Sequence, residues 1–319
     1  MKSGVTYRDA GVDLDAARRH TENIAKMVAG GTAGFAGLVE MPKMRDPLLV
    51  SATDGVGTKI ALAQKLGRMG GLGQDLVAMC VNDLACTGAR PLFFLDYMAV
   101  GRLDPDIAGQ VVASISAACA SVSCALVGGE TAEHPGVVAP DHLDLAGFAV
   151  GVVERDEVLG PHRVVAGDVI VGIPSSGLHS NGFSLVRALV DSGALAPDAD
   201  LLLEPTRLYP NDVTRLRDAG VELHAAAHIT GGGFAENLPR VIPEGLRPVV
   251  DPATWERTAA IEAVVAAGVP DEDAWSTFNM GIGMCLILPP DAAPTATGAI
   301  DGARIIGRVE VGDGGLRIG

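Results

Sequence analysis

Apolar segments of strand length and of helix length alternate along this chain, and glycine-rich turns separate one segment from the next. In the first half this pattern predicts strands over residues 48–53, 92–100, 125–127 and 143–153 and helices over 58–66, 75–87 and 107–122. In the second half it predicts strands over 169–173, 283–288 and 304–309 and helices over 181–192, 211–219, 234–241 and 258–267. The chain is therefore expected to fold as a protein of mixed helix and sheet content.

The length of 319 residues corresponds to roughly two domains. A dense run of charge, Glu154-Arg155-Asp156-Glu157, opens a turn-rich segment that continues to Asp168. Segments of this kind join domains more often than they lie inside one. We therefore predict a boundary near Asp156, with one domain over residues 1–156 and a second over 157–319.

The charge balance excludes two classes of partner. With 24 basic and 39 acidic residues the net charge is −15, so the chain lacks the positive field that would hold a nucleic acid or an anionic membrane surface. Phosphate ligands remain open, because backbone N–H groups and bound metal can supply positive charge. The first nine residues lack the apolar core of a signal peptide, and serines interrupt the uncharged stretch over 107–129. We expect a cytoplasmic protein with no nucleic-acid and no membrane partner.

The strongest local motif is Asp54-Gly55-Val56-Gly57-Thr58-Lys59, which follows an apolar strand and opens a helix. Its two glycines allow a sharp turn and a close backbone approach to a ligand, and the free N–H groups of the following helix point towards that ligand. The spacing matches neither a Walker A sequence nor G-x-G-x-x-G. A phosphate-binding loop and a plain strand-to-helix turn capped by Asp54 both remain open.

Two further acids resemble Asp54 in their placement. Asp83 lies in an otherwise apolar helix, where a carboxylate needs a partner or partial hydration, and Glu130 follows Gly128-Gly129 at the end of a strand. Asp54, Asp83 and Glu130 together suit Mg²⁺ bridged to phosphates, since this cation prefers oxygen ligands. For Asp83, a hydrogen-bonded helix-end carboxylate is the alternative.

Two motifs of the second half carry polar groups at the start of a helix. Ser175-Ser176-Gly177-Leu178-His179-Ser180-Asn181-Gly182 contains hydroxyls and an imidazole but no G-x-S-x-G elbow. His179 is either a general acid–base or a hydrogen-bonding residue at a helix start. His228-Ile229-Thr230-Gly231-Gly232-Gly233-Phe234 is either an anion-binding nest or an uncomplicated loop.

In their order along the chain these motifs closely resemble the phosphoribosylformylglycinamidine cyclo-ligases, also called aminoimidazole ribonucleotide (AIR) synthetases. The blocks that carry the resemblance are residues 7–13, 54–59, 77–84, 91–97, 127–133, 175–182 and 228–234. The regions over 30–37, 136–141 and 195–204 are slightly shorter than in the family, which leaves those loop lengths in doubt.

The resemblance implies a two-domain α+β fold, in which the N-terminal sheet pairs with that of a second copy in a barrel and an α/β domain follows. It also implies a homodimer that uses ATP and Mg²⁺. The implied reaction converts formylglycinamidine ribonucleotide (FGAM) and ATP to AIR, ADP and phosphate, in purine biosynthesis.

Roles for individual residues follow as hypotheses. We expect catalytic roles for Asp54, Lys59 and His179, with Lys59 neutralising the triphosphate and His179 moving a proton. The expected metal ligands are Asp54, Asp83 and Glu130. The expected ATP-binding residues are Asp54, Gly55, Gly57, Thr58, Lys59, Asp83 and Gly129. The expected substrate-binding residues are Ser176, His179, Ser180, Asn181, Thr230, Gly231, Gly232 and Gly233.

Other members of the same ATP-binding superfamily fit less well. A selenophosphate synthetase needs a reactive cysteine near its amino terminus, whereas the first cysteine here is Cys80. A hydrogenase-maturation relative would end in a cysteine, and this sequence ends in Gly319. A thiamine-monophosphate kinase is disfavoured by the intact 175–182 and 230–234 blocks. A nucleotide-binding scaffold without turnover is the rival from a different class.

Overall fold

The computed structural model describes residues 14–24, 31–32 and 36–319, so the block at 7–13 lies outside the described residues. The helices of the first half are α1 (Leu14–Ile24), α2 (Lys59–Lys65), α3 (Leu72–Cys86) and α4 (Pro105–Ser121). Its strands are β1 (Gly31–Thr32), β2 (Gly37–Leu38), β3 (Pro47–Gly55), β4 (Arg90–Val100), β5 (Ala125–Glu133) and β6 (Leu143–Glu154). The strands β3, β6, β4 and β5 form one sheet in that order, with β5 parallel to β4 and the other neighbours antiparallel.

The two faces of this four-stranded sheet differ. Helices α3 and α4 pack on one face, where Phe94 and Met98 of β4 are fully buried. On the other face Leu49, Tyr97 and Phe148 are 64%, 42% and 41% exposed. Side chains alternate between faces along a strand, and the strand register places these three on the same side. One face of the sheet therefore has no covering layer among the described residues.

The second half contains a larger sheet flanked by short helices. Its helices are α5 (Phe183–Asp191), α6 (Ala199–Leu202), α7 (Pro210–Asp218), α8 (Gly233–Asn237), α9 (Ala259–Ala266), α10 (Asp271–Thr277) and α11 (Ala293–Ala299). Its strands are β7 (Val169–Pro174), β8 (Ala225–His228), β9 (Leu246–Val250), β10 (Ile282–Leu288), β11 (Arg304–Val311) and β12 (Arg317–Ile318). The strand order is β12-β9-β11-β7-β10-β8, and only the β12–β9 pair is parallel. The predicted α+β fold is confirmed.

Every helix and strand predicted from the sequence has a counterpart, but nine of the described elements were not predicted: α1, β1, β2, α6, β8, β9, α10, α11 and β12. The strand β8 is only four residues long and is mostly alanine, which has a low strand propensity, so no period-2 signal marks it. The helix expected over 234–241 stops at Asn237 and continues as a tighter 3₁₀ turn, since Pro239 cannot donate a helical hydrogen bond. Among the described residues, we find no helix with the length and apolar character that a membrane crossing requires.

Candidate active site

A cavity of about 450 Å³ lies where the two halves of the molecule meet. The first half contributes the Asp54–Gly57 turn together with Asp144 and Ala146 of β6, and the second half contributes Ser180 and Asn181. Two motifs that are more than 120 residues apart in sequence therefore face each other.

Asp54 is the penultimate residue of β3, and its geometry is fixed by the turn that follows. The N–H of Gly55 donates to Asp54 Oδ1 over 2.7 Å, and Gly57 has φ of +67°, a conformation that side-chain-bearing residues rarely adopt. Partial burial and the nearby negative charge of Asp83 raise the pKa of the Asp54 carboxyl. The Gly55 N–H and His228 oppose this shift.

Asp83 stands at the end of α3 that borders the same region, and His228 at the end of β8 holds it. His228 Nδ1 is 3.0 Å from Asp83 Oδ1, and Asn82 Nδ2 is 3.3 Å from His228 Nε2. An amide nitrogen can only donate, so the network assigns the proton of His228 to Nδ1, from which it is donated to Asp83. The Asp83 side chain is still 51% exposed. Sequence reasoning gave His228 no role, although it opens the glycine motif that was singled out.

The structure does not bring Glu130 to the other two predicted metal ligands. Strand pairing aligns Asp54, Gly147, Asp96 and Gly129 in one row across the sheet, which places Gly129 about 14 Å from Asp54. Glu130 follows Gly129, so strand alternation points it to the opposite, uncovered face, beside Tyr97. Among the described residues no three acids, histidines or cysteines converge on a single point. The structure therefore does not bring the three predicted carboxylates together, since Glu130 lies apart from Asp54.

Lys59 is also placed differently from the prediction. Its side chain is 1% exposed, and its ammonium group is 2.9 Å from Asp75 Oδ1 and 2.8 Å from Asp75 Oδ2. It also donates to the carbonyl oxygens of His179, over 2.9 Å, and Glu204, over 3.0 Å. All three of its protons are therefore used inside the protein, and Lys59 does not face the cavity as a counter-ion for a triphosphate. Its neighbour Thr58 shares a 3.1 Å hydrogen bond with Ser184 across the two halves.

The His179 imidazole lies beneath the surface of the cavity. It is 1% exposed, its backbone has φ of +62°, and its Nε2 accepts a 3.3 Å hydrogen bond from the Ser176 N–H. Burial and the nearby His228, Lys59 and Arg207 lower the pKa of the His179 ring well below its usual range. A ring that stays neutral and has no solvent contact is poorly suited to the predicted proton transfer. Its carbonyl instead anchors Lys59.

The hydroxyl groups of the same motif are partly engaged with the segment that follows α6. Ser176 Oγ donates to the carbonyl of Pro205 over 2.7 Å, and Ser180 Oγ is 3.1 Å from Thr206 Oγ1. Ser180 and Asn181 nevertheless line the cavity. Of the predicted substrate-binding residues in this motif, these two are therefore the ones that the structure exposes to a ligand.

The glycine loop over 230–233 lies beside Asn181. A Cβ built on Gly231 would be 3.3 Å from Asn181 Oδ1, so the two segments are in contact. Gly232 and Gly233 both have positive φ, at +86° and +57°. Asn237 Nδ2 donates to the loop carbonyls of Thr230, Gly231 and Gly233, which turns those oxygens away from a ligand. A turn of this kind forms a backbone nest suited to an anion, here with the N–H groups of Gly231 and Gly232, since the Gly233 N–H donates to the Thr230 carbonyl over 3.0 Å.

Gly129, predicted to bind ATP, has a packing reason to be glycine. A Cβ at this position would lie 2.2 Å from Asp96 Oδ1 on the adjacent strand. Asp96 is buried, at 8% exposure, and its burial raises the pKa of its carboxyl to about 6. Gly129 therefore lacks a side chain because the buried Asp96 carboxyl occupies that space.

Comparison with known proteins assigns the chain to a family. The model of the AIR synthase related protein, N-terminal domain, matches residues 36–153, and that of the AIR synthase related protein, C-terminal domain, matches residues 165–318. The chain belongs to the AIR synthase family. A phosphoribosylformylglycinamidine cyclo-ligase of Synechococcus sp. strain CC9311 is 47% identical over 97% of this chain and 96% of its own length. One of strain CC9605 is 48% identical over 89% of this chain and 88% of its own.

Solved structures of more distant proteins share the family fold. A hydrogenase maturation protein HypE in complex with ATP superimposes with a TM-score of 0.71 at 19% identity, covering 95% of this chain and 89% of that one. A thiamine-monophosphate kinase from Stenotrophomonas maltophilia K279a gives 0.68 at 21% identity, with 96% of both chains covered. At this level of identity the likeness concerns the fold.

Proposed function

We propose that this protein catalyses the ATP-dependent cyclisation of FGAM to AIR, with release of ADP and phosphate. The observation that carries this proposal is the cavity in which the Asp54–Gly57 turn meets Ser180 and Asn181, with the glycine nest in contact with Asn181. The full-length similarity to proteins named as cyclo-ligases of this reaction supports it. Two solved structures of the same fold contain a nucleotide: a HypE in complex with ATP, and a thiamine-monophosphate kinase in complex with AMPPCP.

The reaction has one chemical difficulty, which ATP removes. An amide oxygen is a poor leaving group, so the formyl oxygen is first phosphorylated, and the amidine nitrogen then closes the five-membered ring as phosphate leaves. Phosphoryl transfer of this kind depends on positioning and on electrostatic stabilisation more than on covalent help. In this chain, the backbone of Gly55 to Gly57 approaches the phosphates, and Ser180 and Asn181 orient the formylglycinamidine group.

The donor set fits a magnesium ion with two protein ligands. Asp54 and Asp83 lie close enough that the charge of one raises the pKa of the other, and Mg²⁺ commonly takes one or two carboxylates together with substrate phosphates. When bound, the ion would neutralise the negative charge that develops on the phosphate oxygens during phosphoryl transfer. His228 keeps Asp83 Oδ1 in place through its Nδ1 proton, and the second oxygen of this half-exposed carboxylate is left for the ion.

A substrate phosphate fits the nest at the other side of Asn181. The N–H groups of Gly231 and Gly232 supply the positive potential, since the Gly233 N–H already donates to the Thr230 carbonyl over 3.0 Å. We assign no proton transfer to His179 in this scheme. Its neutral ring lies next to Tyr209 and His228, with ring centroids 6.2 and 6.4 Å away.

The test of the proposal is a coupled product assay. Purified protein with Mg²⁺ and ATP is incubated with and without FGAM, and ADP and the aminoimidazole product are quantified. One-to-one formation of ADP and aminoimidazole is expected. ADP release that does not depend on FGAM, or its absence with every candidate substrate including thiamine monophosphate, would contradict it.

We also propose that the protein is a homodimer that pairs the uncovered faces of two four-stranded sheets. Leu49, Tyr97 and Phe148 form an apolar patch on this face, and a second sheet would bury it. Phe148→Asp places a charge at the centre of such an interface. We expect this variant to elute as a monomer in size-exclusion chromatography with light scattering, whereas Val311→Asp, an exposed apolar position on β11, should not change the mass. A wild-type monomer would contradict the proposal.

A further inference from the structure

A groove leads from the candidate active site along helix α2 and ends in a second, larger space. The active-site cavity shares Gly57 and Asp144 with a neighbouring cavity of about 450 Å³. That cavity in turn shares Ala61, Gln64 and Arg187 with a third, of about 670 Å³. Volumes of this size accommodate a small-molecule ligand. The three cavities form one groove, and nothing in the proposed mechanism yet uses its far end.

The two ends of the groove carry opposite charge. Asp54 and Asp144 lie at the active-site end, whereas Lys65, Arg102 and Arg187 lie at the far end. The carboxylates near the far end are Asp104 and Asp141. Asp104 accepts hydrogen bonds from the N–H groups of Asp106 and Ile107 as the cap of α4, and Asp141 lies in the loop that Gln64 holds over the groove by a 2.8 Å hydrogen bond to its carbonyl.

Arg187 differs from the other cations of this region in having no partner. Lys65 is 2.7 Å from Asp191 Oδ1, and Arg68 pairs with Asp200. Within residues 36–319 the guanidinium groups of Arg187 and Arg102 make no hydrogen bond and no ion pair with a side chain, and Asp191 acts on Arg187 only at longer range. Arg187 is half-buried in the middle of α5 and lines both outer cavities. In a chain of net charge −15, an unpaired cation held in a cavity wall indicates a place for an anion.

We propose that Arg187, supported by Arg102, binds a phosphate group of one of the two phosphate-bearing reactants at the far end of this groove. The identity of the reactants rests on the proposed function, whereas the anion site itself does not. A guanidinium suits a phosphate because its N–H donors match two phosphate oxygens at once. The nest over 230–233 contacts Asn181 of the active-site cavity, whereas Arg187 lines the two outer cavities, so the two anion-binding groups are separate. Two phosphorylated reactants need two such places.

The experiment measures binding without turnover. Isothermal titration calorimetry is carried out with MgATP and, separately, with ribose 5-phosphate, on the wild type, Arg187→Gln, Arg187→Lys and Arg308→Gln. Arg308 is the matched control, because its loss changes the net charge equally while its side chain lies on β11 and pairs with Glu310. We expect Arg187→Gln to weaken one or both ligands about tenfold and Arg187→Lys to recover part of the loss. The thermal midpoint should stay unchanged, since Arg187 has no partner to lose.

Each outcome separates the possibilities. Weaker binding of MgATP alone identifies the polyphosphate as the occupant, and weaker binding of ribose 5-phosphate alone identifies the ribonucleotide. Unchanged binding in Arg187→Gln, equal weakening by Arg308→Gln, or no binding of either probe to the wild type would overturn the inference. A protein that shows the Arg187 effect but makes no aminoimidazole would refute the proposed function and leave this site standing.

Discussion

Two aspartates on helix α3 lie two turns apart and have opposite surroundings. Asp75 is fully buried and receives hydrogen bonds on Oδ1 from Lys59, from the Thr206 N–H over 2.8 Å and from Thr206 Oγ1 over 2.6 Å. Asp83 is half-exposed and has one partner, His228. The first joins the two halves of the molecule, and the second stays open to solvent. The same residue type on one helix thus serves structure at one end, whereas at the other end we propose a role in chemistry.

The difference shows how the site is kept both rigid and open. Lys59 fixes the carbonyls of His179 and Glu204, Asp75 accepts from Thr206, and Asn82 holds the next part of the same segment by accepting from the Tyr209 N–H over 2.9 Å. These closed polar contacts position the backbone that leads into Ser180 and Asn181. The Asp54 carboxylate and the Asn181 amide, which line the cavity, are the groups that a ligand would meet.

The largest effect is expected where the closed network is broken. Asp75→Asn leaves the Lys59 ammonium buried without a counter-charge, and removing one partner of a buried pair costs about 3–5 kcal/mol. We expect the free energy of unfolding, measured by urea denaturation, to fall by that amount. Loss of activity should follow only as the protein unfolds.

The double variant Lys59→Met/Asp75→Asn is the control for this prediction. It removes both charges together, so no uncompensated ion remains and at least half of the lost free energy should return. If Asp75→Asn alone changes stability by less than about 1 kcal/mol, the pair does not act as a buried ion pair and the contrast with Asp83 fails.

At the open end of the same helix, the expected effect falls on activity instead. Asp83→Asn keeps the oxygen that accepts from His228 but removes the negative charge that would face metal and phosphate. We expect kcat for ADP formation to fall about 100-fold, with stability changed by less than about 1 kcal/mol. Turnover within threefold of the wild type at saturating Mg²⁺ would remove Asp83, and with it the two-carboxylate site, from the mechanism.

The local motifs of the site were predictable from sequence because a polar residue at the end of a strand is followed by glycines, which restrict how the chain can turn. A strand that ends at Asp54 and is followed by glycines can turn in few ways, and the positive φ of Gly57 agrees with that expectation. Asp83 interrupts an apolar helix and therefore needed a partner. The four-residue strand β8, whose last residue is that partner, His228, carried no signal of its own.

What sequence could not supply was the orientation and depth of each side chain. Lys59 is next to Thr58 in the motif, yet the rotation of one residue along the helix directs its side chain into the protein interior, where it contacts Asp75. Glu130 is next to Gly129, yet one step along a strand turns it to the opposite face of the sheet. Both errors came from assigning a whole motif to one surface, and only the pairing of distant elements decides between the two sides.

A third aspartate sharpens the contrast, because it is buried like Asp75 but has no partner. In the described part of the chain the Asp96 carboxyl accepts one hydrogen bond, from its own backbone N–H. Burial raises the pKa of this carboxyl to about 6. The folded state therefore binds this proton more tightly than the unfolded state, whose Asp pKa is about 3.9. By linkage, the stabilisation associated with Asp96 is complete below about pH 4 and is lost as the pH rises through about 6.

Asp96→Asn replaces the carboxyl with a neutral group of nearly equal shape. At pH 7.5 we expect the variant to be more stable than the wild type by about 1–3 kcal/mol, and at pH 4.5 the difference should shrink, as measured by thermal unfolding across this range. Asp75→Asn in parallel should be destabilised at pH 7.5, which would show that burial of a carboxylate has opposite consequences with and without a cation beside it. If Asp96→Asn is instead less stable than the wild type at pH 7.5, then Asp96 has a charged partner. Asp96 would then belong to a buried ion pair like that of Asp75, and its description as an unpaired acid would be wrong.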